Sequence, residues 1–224
     1  MTKGESCGVE TKEKILKIAI KLFIERGFLE VSINYLIKKV GIPKRVFYHY
    51  FKSKDQLICE VIEKLLFPCF EDIIRVADEC NGLSKEKLLK IFQKYSEIES
   101  YLKDNFNVDK INYRSIIFLT NEGIKNYEPI TNYIIDFNNR LVEKIEYVIE
   151  EGKRLDEISS TVDSKYMAIY TLKSLQSDIV LWGMNQNIDI KKLFKISFRY
   201  LWNSIKSSES NLILDDSIIN KCSY

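Results

Sequence analysis

The segment that most constrains this chain is Ser32–Lys54, which contains six Lys or Arg residues and no Asp or Glu. Two short helical patterns meet at Val40-Gly41-Ile42, where Gly41 can adopt the positive φ that a tight turn needs. Pro43 suits the first turn of the helix that follows. The segment is therefore predicted to form a helix-turn-helix.

The second helix of this pair has two different faces. Phe47 and Phe51 are four residues apart and form an apolar face with Tyr50, which can dock on a protein core. The opposite face carries long hydrogen-bond donors: Lys44, Arg45, Tyr48 and His49. One face is expected to pack and the other to reach a partner.

Charge is distributed unevenly although the whole chain has a net charge of only +2. Residues 1–60 contain 12 Lys or Arg and 7 Asp or Glu, a net charge of +5, and the remaining residues contain 22 and 25, a net charge of −3. This asymmetry predicts a polyanion as partner of the N-terminal region alone. Since attraction to phosphates is independent of sequence, specificity must come from the outward face of the second helix.

Composition favours a soluble helical protein. The 224 residues include only 8 Gly and 3 Pro, which points to long helices and an all-α fold. No run approaches the ~20 apolar residues that span a bilayer, and the first residues have no apolar signal core, so a cytoplasmic protein without membrane contact is expected. The five cysteines are odd in number and lack C-x-x-C spacing, which argues against a disulfide framework or a zinc site. Cys59 and Cys69 lie in an apolar helical stretch, so reduced packing residues are favoured for these two, with redox sensing as the alternative.

A recognisable motif set surrounds the basic segment. It consists of Ile15-x-x-x-Ala19-x-x-Leu22-Phe23-x-x-x-Gly27-Phe28, then Ser32 and Gly41, then Phe47-Tyr48-His49-Tyr50-Phe51-Lys52-Ser53-Lys54-Asp55-x-Leu57. This set resembles the DNA-binding domain of the TetR family of transcriptional regulators over about residues 11–71. The remainder resembles the family only in helical layout and length. Arg45-Val46 departs from the Gly-Thr often found there, which suggests an unusual operator.

The resemblance implies a role for each matching position. It implies that Lys44, Arg45 and Val46 approach base edges, that Tyr48, His49 and Tyr50 contact backbone or bases, and that Ser32, Asn34 and Lys54 hold phosphates. Residue chemistry agrees, because an arginine can bond O6 and N7 of guanine and a valine can meet a thymine methyl. The alternative is that these residues are the solvated face of a helical bundle. His49 is the only histidine, so no metal site or cofactor is predicted.

The helical patterns predict the domain layout. Residues 1–10 are expected to be flexible, a first helix to run from Thr11 to Gly27, and the DNA-binding domain to cover 11–71 with its helix-turn-helix at about 32–51. A larger helical domain for ligand binding and dimerisation is expected over 72–206, followed by a tail at 207–224. Within it, one helix is predicted from Ser84 through Leu102, one near Asp109–Leu119 before a loop holding Gly123, one from Pro129 to Gly152, one from about Ser164, and one over Ile190–Ile205.

The last two of these helices each carry a wide apolar band. The bands predict a dimer interface formed by Leu175, Ile179, Trp182, Phe198, Leu201 and Trp202. The alternative is that they only complete the core of the monomer. Dimerisation is favoured because the resemblance implies it and because helix-turn-helix proteins commonly read paired half-sites.

Aromatic residues are concentrated in the central helices. A pocket for an apolar or planar molecule needs rings and hydroxyls, and the candidate lining is Phe92, Tyr95, Phe106, Tyr113, Tyr133, Phe137 and Tyr170, most of which can equally be plain core. The hypothesis is a homodimeric regulator, most simply a repressor, that binds a near-palindromic operator and is released by a small molecule. A constitutive DNA-binding regulator is one alternative. An enzyme on a helical scaffold is another, although no catalytic motif is present.

Overall fold

The chain folds as helices throughout its described part. The computed structural model describes residues 3–108, 110–185 and 187–207, with side chains from residue 9 onward. In these ranges it contains ten helices, which confirms the all-α prediction: α1 Lys3–Arg26, α2 Ile33–Val40, α3 Lys44–Tyr50, α4 Lys54–Glu79, α5 Ser84–Ser96, α6 Ile98–Phe106, α7 Tyr113–Asn126, α8 Glu128–Arg154, α9 Ser164–Met184 and α10 Ile190–Ile205. The predicted tail lies outside the described residues except for Ser207. No helix in the described ranges combines the length and the apolar composition needed to cross a bilayer.

The helices form two compact units. The first unit contains the described residues up to 72 together with 97–137 and 180–187, and the second contains 73–96, 138–179 and 188–207. The first unit therefore holds the whole segment 11–71 that was predicted to bind DNA, and in addition α6, α7 and the start of α8. The predicted boundary at 71/72 remains a prediction.

The core of the first unit surrounds the recognition segment. Helix α1 contributes Ile15, Ala19 and Phe23, which are buried at four-residue intervals and belong to one hydrophobic cluster with the fully buried Phe47 and Phe51. Two ion pairs join α1 to α4 at the surface, Lys12 to Glu60 and Lys64 to Glu13, each at 2.8 Å. These exposed pairs contribute little free energy, so the apolar cluster is what holds the short helices α2 and α3 against α1.

The second unit is built around the contact of α5 with α10. The Phe92 ring lies 5.5 Å from that of Phe198 and 6.4 Å from that of Phe194, in edge-to-face arrangements. The start of α5 is held by a carboxylate, because the Ser84 N–H donates to Glu157 Oε2 at 2.7 Å. Ile158 and Lys206 pair as an isolated antiparallel bridge beyond the ends of their helices.

Two predicted helix boundaries were wrong. Helix α1 begins at Lys3 and not at Thr11, because polar residues without proline can extend an exposed helix beyond its apolar stripe. The single helix expected from Ser84 through Leu102 is divided at Glu97 into α5 and α6. At this point the Ser96 hydroxyl donates to the Gln93 carbonyl at 2.7 Å, a side-chain bond that competes with helix continuation.

Two glycines expected to interrupt helices lie inside them. Gly123 is buried within α7, where a Cβ would come within 2.6 Å of the Ile62 side chain and 3.2 Å of the Ile130 side chain. Gly152 lies within α8, which continues to Arg154. Close packing against neighbouring side chains therefore explains these glycines. The start of the helix predicted near Asp109 lies outside the described residues, and α7 begins at Tyr113.

None of the cysteines whose side chains are described forms a disulfide. Cys69 and Cys80 are buried and Cys59 is half-buried. Burial, with smaller contributions from Glu63, Asp55 and Glu60, raises the pKa of the Cys59 thiol, which disfavours the reactive thiolate. The side chains of Cys7 and Cys222 lie outside the described residues.

Candidate nucleic-acid interface

The turn between α2 and α3 is fixed by caps at both ends of α2. Ser32 is the N-cap, and its hydroxyl oxygen accepts a hydrogen bond from the Tyr35 N–H at 3.1 Å. Gly41 ends the helix in the left-handed region with φ of 76°, and its N–H donates to the Ile37 carbonyl. Pro43 then precedes α3, so the backbone leaves one helix and enters the next within three residues.

Helix α3 docks through two aromatic side chains. Phe47 and Phe51 are fully buried, and their ring centroids are 5.6 Å apart. Burying a phenylalanine side chain contributes roughly 1.5–3 kcal/mol, so this pair determines which side of the helix faces away from the protein. Lys12 Nζ lies 5.7 Å from the centre of the Phe51 ring and adds a cation–π contact.

The opposite face of α3 is presented to solvent. Lys44, Arg45, Tyr48 and His49 are exposed, whereas Val46 and Tyr50 are half-buried. The ammonium of Lys44 lies 5.9 Å from the centre of the Tyr48 ring, and the rings of His49 and Tyr50 meet edge to face at 5.0 Å. Five of these side chains line one open depression: Arg45, Val46, Tyr48, His49 and Tyr50. The six residues named on α3 by sequence therefore lie on one short helix, and five of them share one concave surface.

The three residues expected at phosphates are placed differently from one another. Ser32 and Asn34 are exposed at the start of α2. Lys54 is half-buried, and its ammonium donates to the Phe28 carbonyl at 2.9 Å. Burial lowers the pKa of Lys54, and Asp55 partly opposes that shift. Lys54 thus ties the start of α4 to the loop before α2, a contact that the sequence did not indicate.

A predicted capping box joins α3 to α4. The Gln56 N–H donates to Ser53 Oγ at 3.0 Å, as expected. The return bond comes from the Lys52 N–H, which donates to Gln56 Oε1 at 3.0 Å. The three residues between the two helices are therefore held at both ends, which fixes the direction of α3.

A second contact at the start of α4 was also not predictable from the sequence. The Tyr127 hydroxyl, at the junction of α7 and α8, is hydrogen-bonded to Asp55. Burial and this bond to a carboxylate raise the pKa of Tyr127. The partners are far apart in sequence, so no local pattern predicts them. The contact connects the α7–α8 junction to the base of the helix-turn-helix.

The predicted ligand residues do not converge on one place. Phe106, Tyr113, Tyr133 and Phe137 belong to the first unit, and Phe92, Tyr95 and Tyr170 to the second. In the first unit, the Tyr133 ring stacks on Phe67 at 3.4 Å, and its hydroxyl donates to Glu71 at 2.8 Å. Tyr113 packs at 4.0 Å on Trp182.

In the second unit the predicted ligand residues occupy two different environments. Phe92 and Tyr95 are buried in the α5–α10 core, where Tyr95 packs 6.1 Å from Phe194. Tyr170 is exposed on α9. Phe92 and Tyr95 therefore act as core residues, which is the alternative that the sequence left open.

Five of the predicted dimer residues are buried within the subunit: Leu175, Trp182, Phe198, Leu201 and Trp202. Ile179 is half-buried. An apolar band on an amphipathic helix packs first against its own subunit, so these side chains are not available to a second copy. Burial of these five side chains favours the interpretation that they complete the monomer core, and the position of the dimer interface remains a prediction.

The fold and this surface define a helix-turn-helix protein with an exposed, acid-free recognition helix. In the described part of the chain, no three His, Cys, Asp or Glu side chains lie close enough together to hold a metal ion.

Comparison with known proteins finds similarity to bacterial transcriptional regulators. The sequence model described as bacterial regulatory proteins, tetR family, matches residues 15–61. The Transposon Tn10 TetC protein of Escherichia coli is 28% identical over 189 residues, which are 84% of this chain and 83% of that protein. The uncharacterized HTH-type transcriptional regulator YerO of Bacillus subtilis is 25% identical over 143 residues, which are 53% of this chain and 50% of that protein. The chain also spans only 56% of the length of a second Bacillus subtilis regulator, YdgC.

Solved structures share the fold over most of the chain. A TetR transcriptional regulator from Chloroflexus aurantiacus superposes with a TM-score of 0.65 at 15% identity, covering 91% of this chain and 100% of that one. A putative transcriptional regulator from Saccharomonospora viridis in complex with choline superposes with a TM-score of 0.71 at 14% identity, covering 89% and 99%. The chain therefore has the fold of these TetR-type regulators, and residues 15–61 carry the match to the tetR family model.

Proposed function

We propose that this protein is a DNA-binding transcriptional repressor that recognises a near-palindromic operator as a homodimer and releases it when a small molecule binds. The observation that carries the proposal is the outward face of α3. Arg45, Tyr48 and His49 are exposed on a helix whose opposite side is anchored by Phe47 and Phe51. A helix of this kind enters the major groove with its donors toward base edges. Such a protein acts where the chromosome is, in the cytoplasm.

The roles of individual residues follow from their placement. Arg45 is the candidate for bidentate bonding to guanine, and the half-buried Val46 offers a methyl surface to thymine. Lys44 and the rings of Tyr48, His49 and Tyr50 contact bases or the flanking backbone. Ser32 and Asn34 add donors at the start of α2, where backbone N–H groups also face an anion. Lys54 contributes by holding the Phe28 loop in place.

A selection experiment tests the proposal. The purified protein is used to enrich duplexes from a random-sequence pool, and the selected duplexes are sequenced. A repressor that binds as a symmetric dimer enriches an inverted repeat with half-site centres about one helical turn apart. Binding of the selected duplex should weaken steeply with salt, because each phosphate contact releases counterions. Enrichment of no motif, with weak binding that is insensitive to salt, would rule the proposal out.

The dimer contact is proposed to lie on a surface other than the buried apolar bands of α9 and α10. In the second unit, α9 exposes Tyr166, Ile169 and Tyr170, which recur at three and four residues on one face. Lys173 continues this face, with its ammonium 5.3 Å from the centre of the Tyr170 ring. An exposed apolar face on a long helix favours contact with the same face of a second copy about a two-fold axis.

The effector is proposed to bind among aromatic side chains of the first unit. There Tyr133 and Phe137 stack with Phe67 and Phe70, with Phe70 to Phe137 at 4.4 Å. Rings of this kind suit an apolar or planar molecule. Among the proteins that share the fold, one was solved with choline and another, FadR of Bacillus subtilis, with stearoyl-CoA.

Release of DNA requires that the effector bind more tightly to the arrangement of the protein that does not fit the operator than to the arrangement that does. A coupling of about 1–3 kcal/mol between effector and DNA would lower operator affinity roughly 5- to 150-fold. The bond between Tyr127 and Asp55 is a candidate connection, because it joins the α7–α8 junction to the start of α4.

Thermal unfolding against a metabolite panel tests the effector proposal. At least one compound should raise the melting temperature, since a ligand that binds only the folded state stabilises it. The same compound should weaken operator binding. A panel without any stabilising compound would favour the constitutive regulator.

A further inference from the structure

The first unit contains a cleft that is separate from the depression on the outward face of α3. The cleft has a volume of about 570 Å³ and is bounded by α1, α2 and the end of α6. Its apolar lining comes from Ile18, Leu22 and Phe106. It shares no residue with the depression formed by α3. The volume falls in the range of about 300–1,000 Å³ that is usual for small-molecule sites.

Cations dominate the edge of this cleft. Four of its residues are basic, Lys17, Lys21, Arg26 and Lys39, and only Glu25 is acidic. Lys21 is engaged, because its ammonium donates to the Asn107 carbonyl at 3.0 Å and lies 3.7 Å from Glu25.

The other three cations of the cleft are uncompensated. Lys17, Arg26 and Lys39 are exposed and form no ion pair with another described residue. The cleft therefore carries an excess of positive charge over an apolar floor.

Tyr35 brings two of these cations together. The Arg26 guanidinium lies 5.2 Å from the centre of the Tyr35 ring, and the Lys39 ammonium lies 5.7 Å from it. Cation–π contacts of this length orient the two charged groups around one half-buried ring. An anionic group placed beside Tyr35 would meet both cations, while an attached apolar body could lie on Leu22 and Phe106.

We propose that this cleft is a binding site for an amphipathic organic anion, with its carboxylate, sulfonate or phosphate at Arg26 and Lys39 and its apolar part against α1 and α6. A bound anion of this type contacts α2, the first helix of the helix-turn-helix. The proposal does not rest on the proposed function, because it concerns only binding within the first unit.

Fluorescence titration of the full chain with 8-anilinonaphthalene-1-sulfonate tests the site, since this probe is an aromatic anion. The variants are Arg26→Gln and Lys39→Gln, and the matched control is Lys38→Gln, an exposed neighbour on α2 that does not line the cleft. Neutral N-phenyl-1-naphthylamine has a similar apolar body without the charge. All four proteins should unfold at similar temperatures, because the substituted side chains are exposed.

The expected result is saturable binding of the anionic probe that weakens roughly three- to tenfold in each cleft variant. Lys38→Gln should bind the anionic probe as the parent does, and the neutral probe should bind all four proteins equally. The proposal is overturned by an absence of saturable binding, by equal binding in the parent and both cleft variants, or by an equal loss in Lys38→Gln.

A DNA measurement separates the cleft from the DNA surface. If the two cations are phosphate contacts, Arg26→Gln and Lys39→Gln will each lower the slope of log affinity against log salt by about one. That outcome assigns them to the DNA interface and overturns the proposal. An unchanged slope, with weaker probe binding, supports the separate site.

Discussion

At the scale of single residues, Asp178 is a buried acidic group whose hydrogen bonding is incomplete. It lies on α9 with only 9% of its surface exposed, and its Oδ2 atom has no hydrogen-bond partner among the described residues. Burial raises the pKa of this carboxyl group, and a hydrogen bond from Ser197 partly opposes the shift. The charged form is therefore disfavoured in the folded state.

Replacing this carboxyl group should stabilise the protein at neutral pH. Because the folded-state pKa of Asp178 is raised above 3.8, the folded state holds this proton more tightly than the unfolded state, and stability falls as pH rises through the folded-state pKa. Asp178→Asn removes the cost of burying the charge. We expect its melting temperature to exceed that of the parent at pH 7, with the difference shrinking as the pH approaches 3.

Calorimetry at both pH values measures this effect. Asp156→Asn is the control, since Asp156 is exposed and its positive φ of 56° suits asparagine. A variant Asp178→Asn that is less stable than the parent at pH 7 would show that the carboxylate makes a favourable interaction in the folded protein.

The residues of the candidate DNA surface were predictable from sequence because they obey a local rule. Side chains four apart share a helix face, so the apolar pair Phe47 and Phe51 indicated which donors point outward. The bonds of Lys54 to Phe28 and of Tyr127 to Asp55 follow no local rule, because the partners are brought together only by tertiary packing.

At the scale of elements, the turn between α2 and α3 depends on one glycine. Gly41 has a φ of 76°, and a Cβ added there would meet no atom within 4 Å. Any cost of substitution therefore arises from the backbone conformation and not from a clash.

We expect Gly41→Ala to lower the free energy of unfolding by about 1–2 kcal/mol, the usual cost of the left-handed region for a residue with a Cβ. Gly41→Asn should cost clearly less, because asparagine tolerates this region better. Chemical denaturation of the three proteins provides the measurement. Equal stability of the alanine variant and the parent would mean that the turn relaxes into another conformation.

Helix caps and apolar periodicity predicted most of the helices. The helix positions that they missed are determined by tertiary packing. Ser32 and the Ser53 capping box carry their own local hydrogen bonds, so their helices could be located from sequence. A glycine such as Gly123 is usually read as a helix breaker in a sequence. In the structure it lies within α7, at the point where this helix approaches Ile62 of α4. That approach is set by residues more than 60 positions away, which no local pattern contains.

At the scale of the whole molecule, recognition of two half-sites requires two copies of this chain. The apolar bands of α9 and α10 were predicted to form the dimer interface, but the buried side chains of these bands pack in the subunit core. Hydrophobicity alone does not distinguish a core-facing stripe from an interface, because both remove apolar surface from water. The exposed residues Tyr166, Ile169 and Tyr170 of α9 remain available for a partner.

Ile169→Glu should weaken self-association. A two-fold axis places the introduced charge in the contact twice, so we expect the dimer dissociation constant to rise by at least about tenfold. Leu83→Glu is a matched control, since Leu83 is 40% exposed and Ile169 is 44% exposed, and Leu83 lies outside α9. Analytical ultracentrifugation gives the dissociation constants. A change in neither variant, or an equal change in both, would place the interface elsewhere.

The proposed reading of bases by the outward face of α3 is tested most directly by one ratio. This is the ratio of the protein's affinity for the selected duplex to its affinity for a scrambled duplex. The ratio is measured for the parent, Arg45→Ala and Lys52→Ala, where Lys52 is an exposed cation of the same segment that lies outside α3. We predict that Arg45→Ala lowers the ratio roughly 5- to 150-fold, the equivalent of about 1–3 kcal/mol, while Lys52→Ala weakens both duplexes alike. A ratio that is unchanged in Arg45→Ala would contradict the account.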